Sequence, residues 1–488
     1  MEKVSSLSCF ARMQKRLISD NPLFIDKYGL FTQKQSLEIF YGLVNELSSL
    51  IHQGDVCLIA PYSRKETVLI VAAVVSLKGI AIVGDPKQTL EQFINDIKDD
   101  VVINHLIGLE DNYWFIKNGK TYKRLSLSEQ PLAVPLSKVA AKNRPSFYFA
   151  TSGSTGKCNI VALSEYSLIN HMVREIDDTG KNHVMTYGCL PMNHIFGLGL
   201  YLQHLLTARS AFISDTRNPI YALDMIEKYR CSFIPNVPTF FYMLIEAQKN
   251  NPHDISFLKY GVIAGGSYSK EQFLNIENEL GITLCSSYGM SEACTVISNA
   301  QYFYPAELRS EGVGKPFDGV NVVLKDDLGL VNKVTGEICF KGYNLMLGYV
   351  RNNKLELPLD KDGFFHTGDI GKFDENGILH IVGRKKDIII RGGENLSPNY
   401  IEEKIVKIKG VLDACVVGID DEKYGETVGA YILVDDLKNI ESIKSSLPNV
   451  LLKREMPTHL IISTEMPLLN NGKHDKIAIR KKLYEEVK

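Results

Sequence analysis

Thr151 to Lys157 reads TSGSTGK, with apolar runs on both sides, Ser146 to Ala150 (SFYFA) before it and Ile160 to Leu163 (IVAL) after it. Gly153 and Gly156 let the backbone turn its N–H groups inward. The hydroxyls of Thr151, Ser152, Ser154 and Thr155 add donors, and Lys157 adds a positive charge. Such a loop suits a polyphosphate. A Walker loop spaces its glycines more widely and opens a helix, whereas β-type runs flank this one. The heptad is therefore expected to join two strands, with a backbone nest rather than a helix dipole holding the anion. A Ser/Gly-rich hairpin loop without function has the same composition, so the rest of the chain has to decide.

At 488 residues the chain exceeds the roughly 250–300 at which one hydrophobic core stops growing, so at least two domains are expected. With 45% hydrophobic and 23% charged residues it is globular in composition, which excludes a disordered chain. A net charge of -2, with basic residues spread among acidic ones outside the run Arg384 to Lys386, gives no field for nucleic acid. The nine cysteines form no CxxC pair, so neither a disulfide framework nor a zinc site is indicated, and a reducing cytoplasm fits. The first residues lack the apolar stretch of a signal peptide. The most apolar segment, Val68 to Val83, is interrupted by Ser76, Lys78 and Gly79, so no integral membrane segment is expected.

The fold class expected is α/β. Val56 to Ala60, Thr67 to Leu77 and Ile80 to Val83 read as strand, helix and strand, a βαβ unit. Similar alternation runs to about Asn299, with strands at His183 to Tyr187 and Leu258 to Ala264. From Gly312 to about Val382 short β runs with glycine-rich turns predict a β subdomain, for example Val320 to Leu324, Gly336 to Phe340 and Ile378 to Val382. The last hundred or so residues predict a separate small unit. In it Ser397-Pro398 caps a helix carrying Ile401, Ile405 and Ile408, strands follow at Ala414 to Ile419 and Val428 to Val434, and a helix at Ile440 to Leu447.

Four further motifs carry chemistry. Tyr288 to Ala293 reads YGMSEA, where Glu292 supplies an oxygen ligand of the kind Mg²⁺ needs and Ser291 a donor to a phosphate. Phe365 to Gly371 reads FHTGDIG, and Asp369 between its glycines can accept both hydroxyls of a ribose or simply form a turn. Gly383 to Glu402 reads GRKKDIIIRGGENLSPNYIE, and Pro467 to Lys473 reads PLLNNGK, a turn offering a lysine. His194 on its own reads as a packed or capping histidine.

With the phosphate-type loop these five elements, in this order, resemble the adenylate-forming superfamily of acyl-CoA synthetases, adenylation domains and luciferases, from about Gly54 to Arg480. The resemblance implies a large N-terminal domain over 1–383 and a small mobile C-terminal domain over 384–488, with the active site between them. On the matching positions Thr151, Ser152, Gly153, Ser154, Thr155, Gly156 and Lys157 would cradle the phosphates of ATP. Glu292 would bind Mg²⁺, and Asp369 and Arg384 would hold the ribose. Ala264, Gly265 and Gly266 with Ser286, Ser287, Tyr288 and Gly289 would wall the adenine and acyl sites. Leu190 to Gly197 (LPMNHIFG) is similar to the family's LPxxHxxG segment, which puts His194 at the carboxylate pocket, with Phe196, Val237, Gly265 and Met290 as further lining. Lys386 would be the hinge residue and Lys473 the catalytic lysine.

The chain departs from the family pattern in places. Cys158 and Asn159 stand where a Pro-Lys pair is usual, Leu469 where threonine is common, Ser291 where threonine is common, and Lys476 where arginine is frequent. Gly392 to Pro398 (GGENLSP) and Val416 to Glu426 (VVGIDDEKYGE) resemble the acyl- and aryl-CoA ligases, which implies CoA as acceptor, with Gly392 and Gly393 beside its pantetheine. A carrier protein or an amine are the alternative acceptors, and a carrier would be a separate chain. A small-molecule carboxylic acid is the expected substrate. A catalytically weak protein that only binds nucleotide or acyl ligand is the alternative of another class.

Overall fold

Strand Val56–Ile59, helix Lys65–Ser76 and strand Ile80–Val83 form the expected βαβ unit, the strands parallel from Val56 opposite Ile80 to Ile59 opposite Val83. The helix is buried along its whole length, which is why its sequence is a continuous apolar run rather than a stripe. The computed structural model describes residues 19–119, 121–137, 139–151, 158–179, 185–326, 328–331, 334–469 and 472–485. Strand Pro145–Thr151 lies parallel to Ile80–Val83 and turns back as Asn159–Ser164, antiparallel, with Thr151 opposite Asn159. The TSGSTGK heptad thus joins two strands, as expected, while residues 152–157 within it lie outside the described residues.

These strands belong to a nine-stranded sheet. Its edge differs from the sequence expectation. Gly348–Arg351 and Lys354–Glu356, within the stretch assigned to a β subdomain, return to this sheet, Gly348 pairing with Ala162 and Val350 with Ile160. Val350 is buried with Ile160 and Ala162 in one apolar cluster, so covering that core edge decides its place.

A second nine-stranded sheet contains the parallel strands Met185–Gly188, Ser210–Ile213, Phe233–Asn236, Tyr260–Ala264 and Thr283–Tyr288. The largest core lies between the two sheets, joining Ile59 of the first and Ile213 of the second through Leu43, Val71, Leu168 and Leu202 on four helices. A second cluster packs Phe240, Leu244, Phe273 and Ile276 on the other face. Residues 22–47 belong to this body, within the 1–383 unit, and add elements that the sequence reading did not identify. Pro22–Asp26 and Gly29–Thr32 form a hairpin at the sheet edge, followed by helix Gln33–Leu47. Thr32 and Gln35 make a reciprocal capping box, a Thr-x-x-Gln signal present in the sequence.

Val320–Lys325, Thr335–Gly342, Phe365–Phe373 and Leu379–Arg384 make the four-stranded β subdomain. After Arg384 a 3₁₀ turn, Lys385–Asp387, leads to strand Ile389–Arg391 of a different, five-stranded sheet. That sheet carries Val411–Asp421, Gly425–Val434 and the apolar core of Ile389, Ile401, Ile405, Val416 and Ile443. Ser397 does stand before helix Pro398–Ile405, but its hydroxyl donates to the Val382 carbonyl at 3.1 Å instead of accepting from the helix, so it ties the lobe to the β subdomain. Ile408 follows the helix end and is buried in the same core. Among the described residues no helix is long and apolar enough to cross a membrane.

Candidate active site

Strands Phe233–Asn236, Tyr260–Ala264 and Thr283–Tyr288 end side by side, and the carboxyl ends of parallel strands are where α/β sheets place ligands. Pro238, Gly265, Gly266 and Gly289 follow those ends and line a cleft of about 1650 Å³. The C-terminal lobe forms the opposite wall. Ser287, Tyr288, Asp369, Arg384, Lys386 and Lys473 line the same cleft, so residues far apart in sequence meet there.

Lys473 is carried on a tight turn in which the Gly472 N–H donates to the Leu469 carbonyl at 2.9 Å and the Leu469 N–H to the Lys473 carbonyl at 2.8 Å. Gly472 has φ +81°, and a Cβ there would fall on the Arg217 guanidinium and a Val237 methyl. Only glycine lets the turn press this closely on the N-terminal body. Thr239 Oγ1 also donates to the Gly472 carbonyl at 3.4 Å. The Lys473 side chain is open to water within the cleft while protein surrounds it at longer range. That burial, and then the Arg384 guanidinium, lower its pKa, with Asp369 and Glu292 acting the other way.

Asp369 lies opposite Arg384 across paired strands and accepts from Arg384 Nε at 2.8 Å and from the Tyr288 hydroxyl at 2.7 Å. The carboxylate is thus held in one orientation by two fixed donors. Burial, then the Asp369 charge, push the Tyr288 phenol pKa well up, so it stays protonated and donates to Asp369.

Glu292 sits on a 3₁₀ turn, Ser291–Ala293, is buried, and accepts from the Tyr349 hydroxyl at 2.7 Å. The chain leaves this turn through Cys294 at φ 54° and Thr295 at φ 107°, a conformation costing a β-branched residue on the order of 1–3 kcal/mol. Gly289 accommodates it: a Cβ at Gly289 would stand 1.7 Å from the Thr295 carbonyl oxygen. Among the described residues no three His, Cys, Asp or Glu side chains gather to cage a metal ion. Mg²⁺ commonly keeps several waters and takes one or two carboxylates with substrate phosphates, so a single buried carboxylate fits it.

His194 occupies the N-cap position of helix Ile195–Thr207, but its side chain makes no capping bond. Burial, then the Lys473 charge, lower its pKa to about 4, against a smaller opposing effect of Asp85. It is a neutral imidazole within the field of Lys473. Phe196 and Met290 are half-buried against the main core, and Val237 is buried. Thr151 ends its strand with Oγ1 bonded to the Asn159 carbonyl at 3.2 Å. Asn159 Oδ1 in turn accepts from the Arg351 guanidinium, a cation at the base of this hairpin that sequence reading missed. Gly392 and Gly393, at φ 58° and 87°, form the turn between strands Ile389–Arg391 and Glu394–Leu396 and do not line the cleft. Tyr349, Thr239 and Arg217 were also not foreseen, since each acts across elements with no local motif.

The geometry has counterparts in known proteins. A family model described as AMP-binding enzyme matches residues 42–350, and one described as AMP-binding enzyme C-terminal domain matches residues 400–473. The chain belongs to the AMP-binding enzyme family. Within this family it is 34% identical to acyl-CoA ligase sidI of Aspergillus fumigatus over 355 residues, 68% of this chain and 60% of that one. It is 30% identical to acyl-CoA ligase SID4 of Ajellomyces capsulatus over 428 residues, 81% of this chain and 72% of that one. It is 29% identical to YngI of Bacillus subtilis over 348 residues, 69% of this chain and 63% of that one. Matched segments thus span less than two thirds of sidI and YngI. ATP-bound MatB from Rhodopseudomonas palustris has the same fold, with a TM-score of 0.83 at 22% identity, covering 99% of this chain and 100% of that one.

Gly289→Ala is expected to destabilise this family member by about 1–3 kcal/mol, because the loop behind Glu292 has to shift; an unchanged urea midpoint would show slack there. His194 is expected to keep a neutral-ring NMR position as pH falls through 6.5 and to move only toward 4. The unfolded chain takes up that proton near 6.5, so His194 lowers stability progressively as pH falls across that window. A ring resonance titrating at 6.5 would contradict the burial argument.

Proposed function

We propose that this protein is an AMP-forming ligase that activates a carboxylic acid with ATP as an acyl-adenylate and transfers the acyl group to CoA. The observation that carries this reading is Lys473, set by the C-terminal lobe into a cleft whose other wall holds Gly265, Tyr288, Asp369 and Arg384. The names of sidI and SID4 as acyl-CoA ligases support CoA as acceptor.

In the first step a carboxylate oxygen bonds to the α-phosphorus, the α–β phosphoanhydride bond breaks and pyrophosphate leaves. Two anions must approach, so cations and donors have to offset their repulsion where charge builds up. Lys473 is the mobile cation, and Arg384 with Asp369 orients the ribose; Asp369 has lone pairs left beyond the bonds to Arg384 and Tyr288. Thr151 to Lys157 hold the phosphates, Gly266, Ser287 and Gly289 wall the nucleotide, and Ser291 donates to a phosphate. His194 presents a neutral imidazole to the acid. Mg²⁺, held by Glu292, offsets charge on the phosphates when bound. In the second step the CoA sulfur attacks the acyl carbon and AMP leaves with the electrons of the C–O bond, the thiol proton passing to solvent. Rotation at the Lys385–Asp387 turn, with Lys386 as hinge, withdraws Lys473 and brings Gly392 and Gly393 of the C-terminal lobe toward the pantetheine.

The test runs wild type and Lys473→Ala with ATP·Mg²⁺ and a panel of carboxylic acids, with products identified by mass. Wild type is expected to release pyrophosphate with some acids and, with CoA, to yield the acyl-CoA. Lys473→Ala is expected to lose on the order of 10²–10³ in adenylation rate while thioester formation from preformed acyl-adenylate is largely spared. Equal losses in both half-reactions would sink the lysine assignment. An acyl-AMP that persists in the presence of CoA would instead indicate a carrier protein or an amine as acceptor.

A further inference from the structure

The residue after Lys473 is a histidine whose ring Nε2 lies 2.8 Å from Asp413 Oδ2, with side-chain exposures of only 15% and 10%. Resting on the reading above, we propose that the His474–Asp413 ion pair is a positioning device for the adenylation step, fixing the backbone from which the Lys473 ammonium reaches the nucleotide.

Lys473 stands between two sets of anchors. On the body side, Gly472 is pressed against Arg217 and Val237, and its carbonyl accepts from Thr239. On the lobe side, His474 is the first side chain to fasten the turn to the five-stranded sheet. Asp413 is itself fixed, its Oδ1 accepting from the Ala414 N–H at 2.8 Å; it sits at an irregularity of the strand pairing and lines the cleft. The segment is further held by the Asp475 N–H to the Pro467 carbonyl at 2.9 Å and by the Lys476–Asp387 ion pair at 2.6 Å, which reaches the hinge turn.

Titratable groups face this pair from both the lobe and the N-terminal body. Glu402, buried on helix Pro398–Ile405, accepts from the Val416 N–H at 2.8 Å and lies in the field of both His474 and Lys476. The Cys415 thiol borders His474, and from the N-terminal body Tyr242 faces Asp413. Burial pulls the His474 pKa down, and the Asp413 hydrogen bond, helped by Cys415, outweighs it, holding the pKa at about 11. The ring is therefore an imidazolium at neutral pH, and the contact is charge-assisted and directional.

A lysine side chain has several rotatable bonds, so its ammonium is only as well placed as the backbone it starts from. Misplacement of a reacting group by about 1 Å costs on the order of 10² in rate. The pair matters only while Lys473 is docked, which confines its effect to the first half-reaction.

His474→Leu removes the bond, His474→Gln keeps an N–H donor near the Nε2 position, and Asp413→Ala removes the acceptor from the other side. His474→Leu is expected to lower kcat for acyl-adenylate formation roughly 10–10²-fold, with the KM for ATP and thioester formation from preformed acyl-adenylate within about twofold of wild type. His474→Gln should recover much of the loss, and Asp413→Ala should resemble His474→Leu. In a Lys473→Ala background His474→Leu should add little, because a residue that acts through Lys473 has nothing left to position. Equal loss in both half-reactions, or an undiminished effect in that background, would overturn the inference and leave the pair a stabiliser of the lobe. A wild type that forms no acyl-adenylate with any acid would overturn the functional reading and this inference together.

Discussion

In the proposed reaction, the repulsion between a carboxylate and a triphosphate is the constraint on which the rest of the structure depends. Two anions in one cleft require cations at defined places, and a cation held permanently there would obstruct a second reaction in the same space. On that reading the molecule meets both demands by splitting the cleft between two bodies. Arg384 and Asp369 belong to the sheet of the large body, whereas Lys473 arrives on a turn of the small one. The single turn Lys385–Asp387 joins the two. Removing side-chain bulk at Gly472 lets the arriving turn seat on Val237 and Arg217 without a gap.

In the proposed mechanism the large body supplies rigidity where the small one supplies movement. Its parallel strands end together, so Ala264, Ser287 and Tyr288 are positioned by backbone ladders rather than by long loops. Where the chain leaves the last of those strands it takes an unfavourable path through Cys294 and Thr295, stabilised by bonds back to Ser291 and Met290. The Glu292 carboxylate gains its direction from Tyr349, a residue on the strand that returns to pair with Asn159–Ser164 of the hairpin. The hairpin and the carboxylate are in this way parts of one support.

Much of this was legible in the sequence because its chemistry sits in short segments. The apolar runs around Thr151 to Lys157 announced a hairpin, and the strands pair there with Thr151 opposite Asn159. The βαβ unit and the C-terminal strands followed from periodicity. What could not be read were pairings between distant residues: Tyr349 with Glu292 is 57 positions away and His474 with Asp413 is 61. The Gly348–Arg351 strand was assigned to the wrong sheet because a short β run carries no label for its neighbour, and burial against Ile160 and Ala162 decides it. Ser397 looked like a helix cap by residue type, yet its hydroxyl bonds across to Val382. The N-terminal hairpin was missed although the Thr32-x-x-Gln35 box was there to find.

The most direct measurement is exchange of labelled pyrophosphate into ATP, with Mg²⁺ and a carboxylic acid and without CoA. If the cleft forms acyl-adenylate reversibly, exchange depends on the acid and needs no thiol. Exchange that ignores the acid, or nucleotide binding without exchange for any acid, would contradict the assignment of this cleft to carboxylate activation.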